Sequence, residues 1–484
     1  MQEKFSIFSK KFSAGEKSAG NRLQRRADPL RKRKKCAILY GEVIYVKGGA
    51  PPVKKYRLPA LLLAAATLLS AAGCSPFSLS PEGLLEPPRL TKQQEEIREV
   101  LADSLGTQDF RFFTPRAGKN RTSVLFADLY GSSDAEAIVL YQLTSSEETR
   151  VNILTRDADA AWTELCDFAP AAGSAVERID TAAVEPTGYQ QLFLGTALYT
   201  GRESALSAWA LDTGKPENIF SASYAEMVVG DLNGDETDEL ALLNTLSEGG
   251  TSFALYDHSG DENGIALCAE ELLDVQFLSF SLVSVGTLDT GSRAVFIDGR
   301  VGTDTYATEV VAIRSGVPEK LFGVDCPTRT LSLTCRDIDG DGNPEIPLQD
   351  VLPGYSDVAT NDRVMRIDWG KLGVAGLTSR TVSAVNTKWQ YLFLIPERLA
   401  GTVTVLSDEE DDAWTLCLWD AEKQSTSRKI LTVRCHALSQ WEETASFHPE
   451  ETVFLKKDNV CFTAVFYQEN VISLTELKDL IVLL

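Results

Sequence analysis

Asp231-Leu-Asn233-Gly234-Asp235-Glu-Thr237-Asp238-Glu239-Leu240 and Asp337-Ile-Asp339-Gly340-Asp341-Gly-Asn343-Pro-Glu345-Ile346 are two versions of one acidic turn. Aligned on the first Asp, both place oxygen-bearing side chains at positions 1, 3, 5 and 9, and position 7 can add a backbone carbonyl. A hard cation such as Ca²⁺ takes six to eight oxygens, and a tight loop of alternating carboxylates supplies most of them. Glycine at position 4 lets the chain turn sharply. An EF-hand would need a bidentate Glu at position 12, where Leu242 and Leu348 stand instead. The residues from Leu240 and from Ile346 onward read as short apolar strands, not helices. The pattern therefore predicts two Ca²⁺-bound turns that lead into β-strands. The expected ligands are Asp231, Asn233, Asp235, Thr237 and Glu239 in one, and Asp337, Asp339, Asp341, Asn343 and Glu345 in the other. The competing reading is a pair of solvated acidic turns without metal.

A degenerate third copy begins at Asp128 and keeps Gly131 and Glu136, but it has lost the carboxylates at positions 3 and 5. It is not expected to hold a cation. Weaker echoes run over 180–195 and 286–298, which brings the repeat to roughly fifty residues. A period of that size, with several short strands per repeat, points to a β-propeller or a related array. Five repeats are visible, and the expected range is five to seven blades.

The two good turns resemble the FG-GAP/VCBS type of repeat found in integrin-like β-propellers. The resemblance covers residues 115–380. It implies that the acidic loop binds Ca²⁺ at one edge of a blade, and it says little about function.

The net charge of −22 is unevenly spread. Residues 1–52 are basic and carry few structure signals. They read as a stretch preceding the natural start or as a disordered basic extension. A start at Val53 would give an ordinary export signal, and a nucleic-acid-binding arm over 22–35 is the rival reading. Within 53–74, Lys54, Lys55 and Arg57 precede an apolar run and then Ala71-Ala72-Gly73-Cys74. A basic n-region, an apolar h-region too short for a comfortable span and small residues at the cut make a signal peptide. Its end resembles the lipobox of bacterial lipoproteins, with Ala71 where Leu is usual. The resemblance implies lipidation of Cys74, an anchor rather than a span. An ordinary signal peptide with an incidental Cys is the alternative. Residues 75–90 are rich in Pro and Ser and read as a tether.

The domain expected over 91–380 opens with a helix capped by Thr91, with Gln94 at capping-box spacing and Ile97, Val100, Leu101 and Leu105 in one stripe. It should pack on the first blade. Strands follow in pairs, such as 137–141 with 150–154 and 240–243 with 251–256. From about Thr381 the acidic turn disappears. Strands near 389–396, 401–406, 414–419, 429–434 and 461–466, with a closing helix capped by Ser473, read as a small α+β domain over 381–484. The alternative is that these strands complete the propeller.

Nine cysteines include no C-x-x-C pair. Cys326–Cys335 and Cys417–Cys435 are disulfide candidates, and buried free thiols are the simpler reading for most. His258, His436 and His448 are far apart, and no zinc-protease, nucleophile-elbow or nucleotide motif appears. The run 408–412 reads as a solvated turn or, less simply, a second cation site. The acidic mature chain disfavours nucleic acid as a partner. The expectation is a lipoprotein anchored at the membrane's extracytoplasmic side. It would be a non-catalytic binding or scaffold module for a protein or glycan, with structural Ca²⁺. The alternative is an extracellular carbohydrate-active hydrolase or lyase using propeller-face carboxylates.

Overall fold

The computed structural model describes residues 91–484, apart from 133, 147, 171–174, 199–202, 212–213, 259, 261–263, 324, 360–361, 374–375, 409–411 and 469, and the side chains of 379 and 380. The basic stretch 1–52, the expected signal peptide over 53–74 with Cys74, and the expected tether over 75–90 lie outside the described residues.

Local sequence dictates the opening helix, Lys92–Leu105. Thr91 Oγ1 accepts from the Gln94 N–H at 3.3 Å, and Gln94 Oε1 accepts from the Thr91 N–H at 3.0 Å. That reciprocal box satisfies two orphan donors of the first turn. Ile97 and Leu101 are fully buried and pack, with Val100 and Leu105, against Ala137, Val139 and Tyr141 of the first sheet.

The remainder is mainly β. Six antiparallel sheets succeed one another along the chain. The first spans Phe110–Phe112 to Trp162–Phe168, the second Val176–Ala182 to Glu217–Tyr224, and the third Glu226–Gly230 to Ile265–Leu272. The fourth spans Ser279–Thr287 to Val317–Phe322. In the second, third and fourth sheets, four strands lie side by side in sequence order. Short connections favour this arrangement, because antiparallel neighbours need only tight turns.

In the first four sheets the strand pairs that the sequence singles out are the two central strands. Glu136–Leu143 and Glu239–Thr245 are buried on both faces over most of their length, so they read as continuous apolar runs. The flanking strands of these four sheets carry no such signal. Ile265–Leu272 is exposed at most positions, and Val176–Ala182 carries Glu, Arg and Asp. Such strands are set by pairing with a neighbour, not by their own hydrophobicity.

Cores form between successive sheets. Ile138 and Leu140 meet Ile179, Leu192 and Leu194; Phe193 and Leu206 meet Leu240 and Leu242; Leu243 and Phe253 meet Val295 and Ile297. Phe296 and Val310 meet Ile346 and Leu372, and Phe393 and Ile395 meet Leu416 and Val433. Alternate residues of one central strand thus serve two cores, as a period of two requires. Among the described residues no core cluster joins the sixth sheet to the first, whose other face takes the helix.

The sequence places a domain boundary at 380/381. That position lies inside the strand Gly376–Asn386, which pairs with Met365–Gly373 on one side and Tyr391–Ile395 on the other. The strands after it form the rest of the fifth sheet and a sixth, Val403–Asp408 to Val460–Phe466. Ser473 caps a helix as expected, its side chain accepting from the Glu476 N–H at 3.2 Å. The helix stops at Asp479, and Ile481–Leu483 adds a strand to the fifth sheet beside Tyr391–Ile395. Residues 91–484 fall within a single compact unit. The disulfide candidates are not bonded: the seven cysteines from Cys166 to Cys461 are free thiols, five of them buried.

Candidate cation sites

The acidic turns occupy equivalent places. The turn from Asp231 joins Glu226–Gly230 to Glu239–Thr245, and that from Asp128 joins Val124–Ala127 to Glu136–Leu143. The turn from Asp337 follows the bridge of Arg336 with Glu345 and leads into Ile346–Val351.

Their first duty is to the backbone. Asp231 accepts from the Gly234 N–H at 2.6 Å and the Glu236 N–H at 3.3 Å. Asp337 accepts from Gly340 at 2.7 Å, Asp341 at 3.1 Å and Gly342 at 2.8 Å. Asp128 accepts from Ser132 at 3.0 Å. Such side chain-to-backbone bonds replace the ladder that a turn cannot make.

The ninth position has a role that spacing did not reveal. Glu239 Oε2 accepts from the Leu232 N–H at 2.9 Å, Glu345 Oε2 from Ile338 at 2.7 Å and Glu136 Oε2 from Leu129 at 2.8 Å. In the echo within the second sheet, Gln191 Oε1 accepts from Val184 at 2.9 Å and Glu185 at 3.1 Å. All four side chains are buried. The recurring acid is therefore a lock that ties the turn to its strand, and an amide can replace it. The degenerate copy keeps its Glu for that reason.

Beyond these locks the two good turns differ. In the 337 turn, oxygens of Asp337, Asp339 and Glu345 lie within 4.8 Å of one another. A lysine outside the motif reaches the same place. Lys371, from Met365–Gly373, puts its Nζ 2.8 Å from Asp339 and 3.2 Å from Glu345, and also bonds Asp341. Desolvation works against the ammonium, but the bonds to Asp339, Asp341 and Glu345 outweigh it and raise its pKa. Burial raises the pKa of Glu345, and Lys371 works against that rise. Asn343 contributes its N–H to Asp341, at 2.9 Å.

No lysine reaches into the 231 turn among the described residues. Asn233 sits between the acids, its Nδ2 donating to Asp235 at 2.9 Å and also to Glu239. Thr237 donates its N–H to Asp235 at 2.9 Å. Arg293 approaches from outside, with Nη1 2.6 Å from the Asp231 carbonyl and 3.5 Å from its carboxylate. Burial pushes Glu239 up to about 7, helped by the charges of Asp235, Asp257 and Asp231. A carboxyl so raised is one that lacks a compensating positive charge.

Among the described residues only the 337 turn brings three carboxylate ligands within 4.8 Å of one another; Asp231, Asp235 and Glu239 are not gathered in that way. In the 337 turn a hard cation would displace Lys371. In the 231 turn it would need Asn233 to turn its amide oxygen inward, which gives up the bond that its Oδ1 accepts from the Asp235 N–H at 2.8 Å and the bond that its Nδ2 donates to Glu239. In the 408–412 run, Asp412 is paired with Lys388 and accepts from Trp389 Nε1 at 3.1 Å, and 409–411 lie outside the described residues.

No family model matches this sequence, and neither does any curated protein. Solved structures give distant likenesses. The exotype rhamnogalacturonan lyase YesX is 11% identical over 65% of this chain and 76% of its own, with a TM-score of 0.28. A Dos1 propeller is 12% identical over 62% and 66%, with a TM-score of 0.27. Sqt1 from Chaetomium thermophilum is 10% identical over 63% and 71%, with a TM-score of 0.30.

Proposed function

We propose that this chain is a bacterial lipoprotein held to the extracytoplasmic side of the cell membrane through Cys74, with a non-catalytic body that binds a protein or glycan. Its sheets are read as FG-GAP/VCBS-like propeller blades, six in number, and the turns as edges stiffened by structural Ca²⁺. The observation that carries the reading is how the turn carboxylates are used. Asp231, Asp337 and the ninth-position acids hold their own turns' N–H groups, so they build sheet edges. Carboxylates crowded in one turn repel each other, and a cation offsets that repulsion.

Removal and return of Ca²⁺ tests the metal. The purified chain should melt higher with Ca²⁺ than in EGTA, by less in Asp231→Ala or Asp337→Ala, and equally with and without Ca²⁺ in the double variant. An unresponsive parent would sink the calcium. Cys74→Ser should abolish incorporation of labelled palmitate in a bacterial host. Affinity electrophoresis through polysaccharide gels addresses the ligand. Retardation without release of chain ends fits a binding module, whereas new reducing or unsaturated ends would establish the hydrolase or lyase instead.

A further inference from the structure

Two of the three histidines, distant in sequence, converge on one buried carboxylate at the sixth sheet. His448, Pro449, Glu450 and Glu451 form a turn closed by the Glu451 N–H donating to the His448 carbonyl at 3.1 Å. Proline at the second place of such a turn presets its backbone. The turn brings its first and last side chains together, with His448 Nδ1 3.3 Å from Glu451 Oε1. That separation exceeds the usual range of an N–H···O bond. It matches two ligands of one tetrahedral ion, which bonds of about 2.0–2.1 Å place roughly 3.3 Å apart. Ligand atoms of His448, Glu450 and Glu451 all lie within 4.8 Å of one another.

The surroundings hold this set in place. The Glu451 side chain is 1% exposed, and its Oε2 is 2.9 Å from His436 Nε2 and also accepts from Thr463. Arg434 Nη1 lies 3.1 Å from Oε1. A carboxylate oxygen has a second lone pair, so Arg434 leaves one direction of Oε1 for a metal. Trp441 stacks on His448 at 29° and packs against His436, fixing the ring planes. Outer contacts of this kind orient metal ligands and tune their basicity. A cavity of about 550 Å³, lined by Trp389, Asp412, Gln440, His448 and Glu450 among others, opens beside the set.

We propose that His448, Glu450 and Glu451 form a site for a divalent transition ion of the Zn²⁺ type, with its fourth position open to that cavity. One imidazole and two carboxylates suit Zn²⁺, with Cu²⁺ and Ni²⁺ as competitors, and not the all-oxygen preference of Ca²⁺. The open position takes water or an oxygen donor of a small ligand. The site is independent of the acidic turns.

The test is calorimetric titration of Zn²⁺ into the full chain, stripped of metals and saturated with Ca²⁺ so that the turns do not compete. The expected result is one equivalent bound, at least about tenfold more weakly in His448→Ala, with a smaller loss in Glu450→Gln. His448 is 39% exposed and Glu450 is exposed, so both metal-free variants should melt with the parent. Co²⁺ should give visible bands of a four-coordinate site in the parent that vanish in His448→Ala. Unchanged affinity in His448→Ala overturns the proposal, as does a parent that takes up no Zn²⁺ at micromolar concentration. Thiolate-to-Co²⁺ charge transfer lost in Cys268→Ser, which would move the ion to that exposed cysteine, overturns it too.

Discussion

The turns from Asp231 and from Asp337 share a sequence pattern, a position in their sheets and the same backbone locks, yet they balance charge differently. The 337 turn holds Lys371 against three of its acids, whereas the 231 turn holds an amide, Asn233, and a buried Glu239 raised to about 7. A repeat motif read from spacing describes the ligands that a turn offers. It does not describe what the neighbouring strand brings to them. Lys371 stands thirty residues after Asp341, and only the pairing of Ile346–Val351 with Met365–Gly373 delivers it.

The largest effect that separates the two is a pH dependence. Glu239 has a raised pKa in the fold, so its contribution is present below its unfolded value near 4.5 and lost as pH rises through about 7. In EGTA the loss over that window from Glu239 should reach up to roughly 3 kcal/mol, and Glu239→Gln should remove that share and leave the slope of Glu136, Glu309 and Glu345, which burial also raises. Ca²⁺ should remove that share too, because an ion favours the carboxylate. Urea melts at successive pH values decide this, and a parent with no slope in EGTA would break the comparison.

Lys371→Met comes next. In EGTA it should cost about 2–3 kcal/mol, below the figure for a fully buried pair because Asp339 and Asp341 are partly exposed. Ca²⁺ should restore most of that loss and bind more tightly than in the parent, as titration would show. Arg293→Met is the counterpart at the other turn. Arg293 is 43% exposed and touches Asp231 from outside, so its removal should cost no more than about 1 kcal/mol. Comparable costs for the two variants would erase the distinction.

The smallest effect concerns backbone strain. Position 6 has positive φ in both turns, 71° at Glu236 and 87° at Gly342. Glycine adopts that region freely, whereas other residues are strained there. Glu236→Gly should stabilise by about 0.5 kcal/mol and Gly342→Ala should destabilise by about 1 kcal/mol. Paired thermal melts check both signs.

What could be read in advance was local. The capping box of Thr91 and Gln94, the stripe of Ile97 and Leu101, the cap at Ser473 and the acidic turns all involve residues a few places apart. The central strands were legible because burial on both faces leaves an apolar run. The flanking strands of the first four sheets and the continuity across 380/381 were not. The acidic turn does vanish there, but strand pairing depends on partners and continues without it.

The sequence by itself determined a mainly β chain with recurring acidic turns and a capped helix ahead of its first sheet. Tertiary structure alone decided what those turns face. It set Lys371 into one and Asn233 beside a buried Glu239 in the other, and it gathered His436, His448 and Arg434 on Glu451. The reason is range. Turns and caps are fixed by dihedral preference and hydrogen bonds within a few residues. Charge partners across strands are fixed by register, which one residue's slip would reverse.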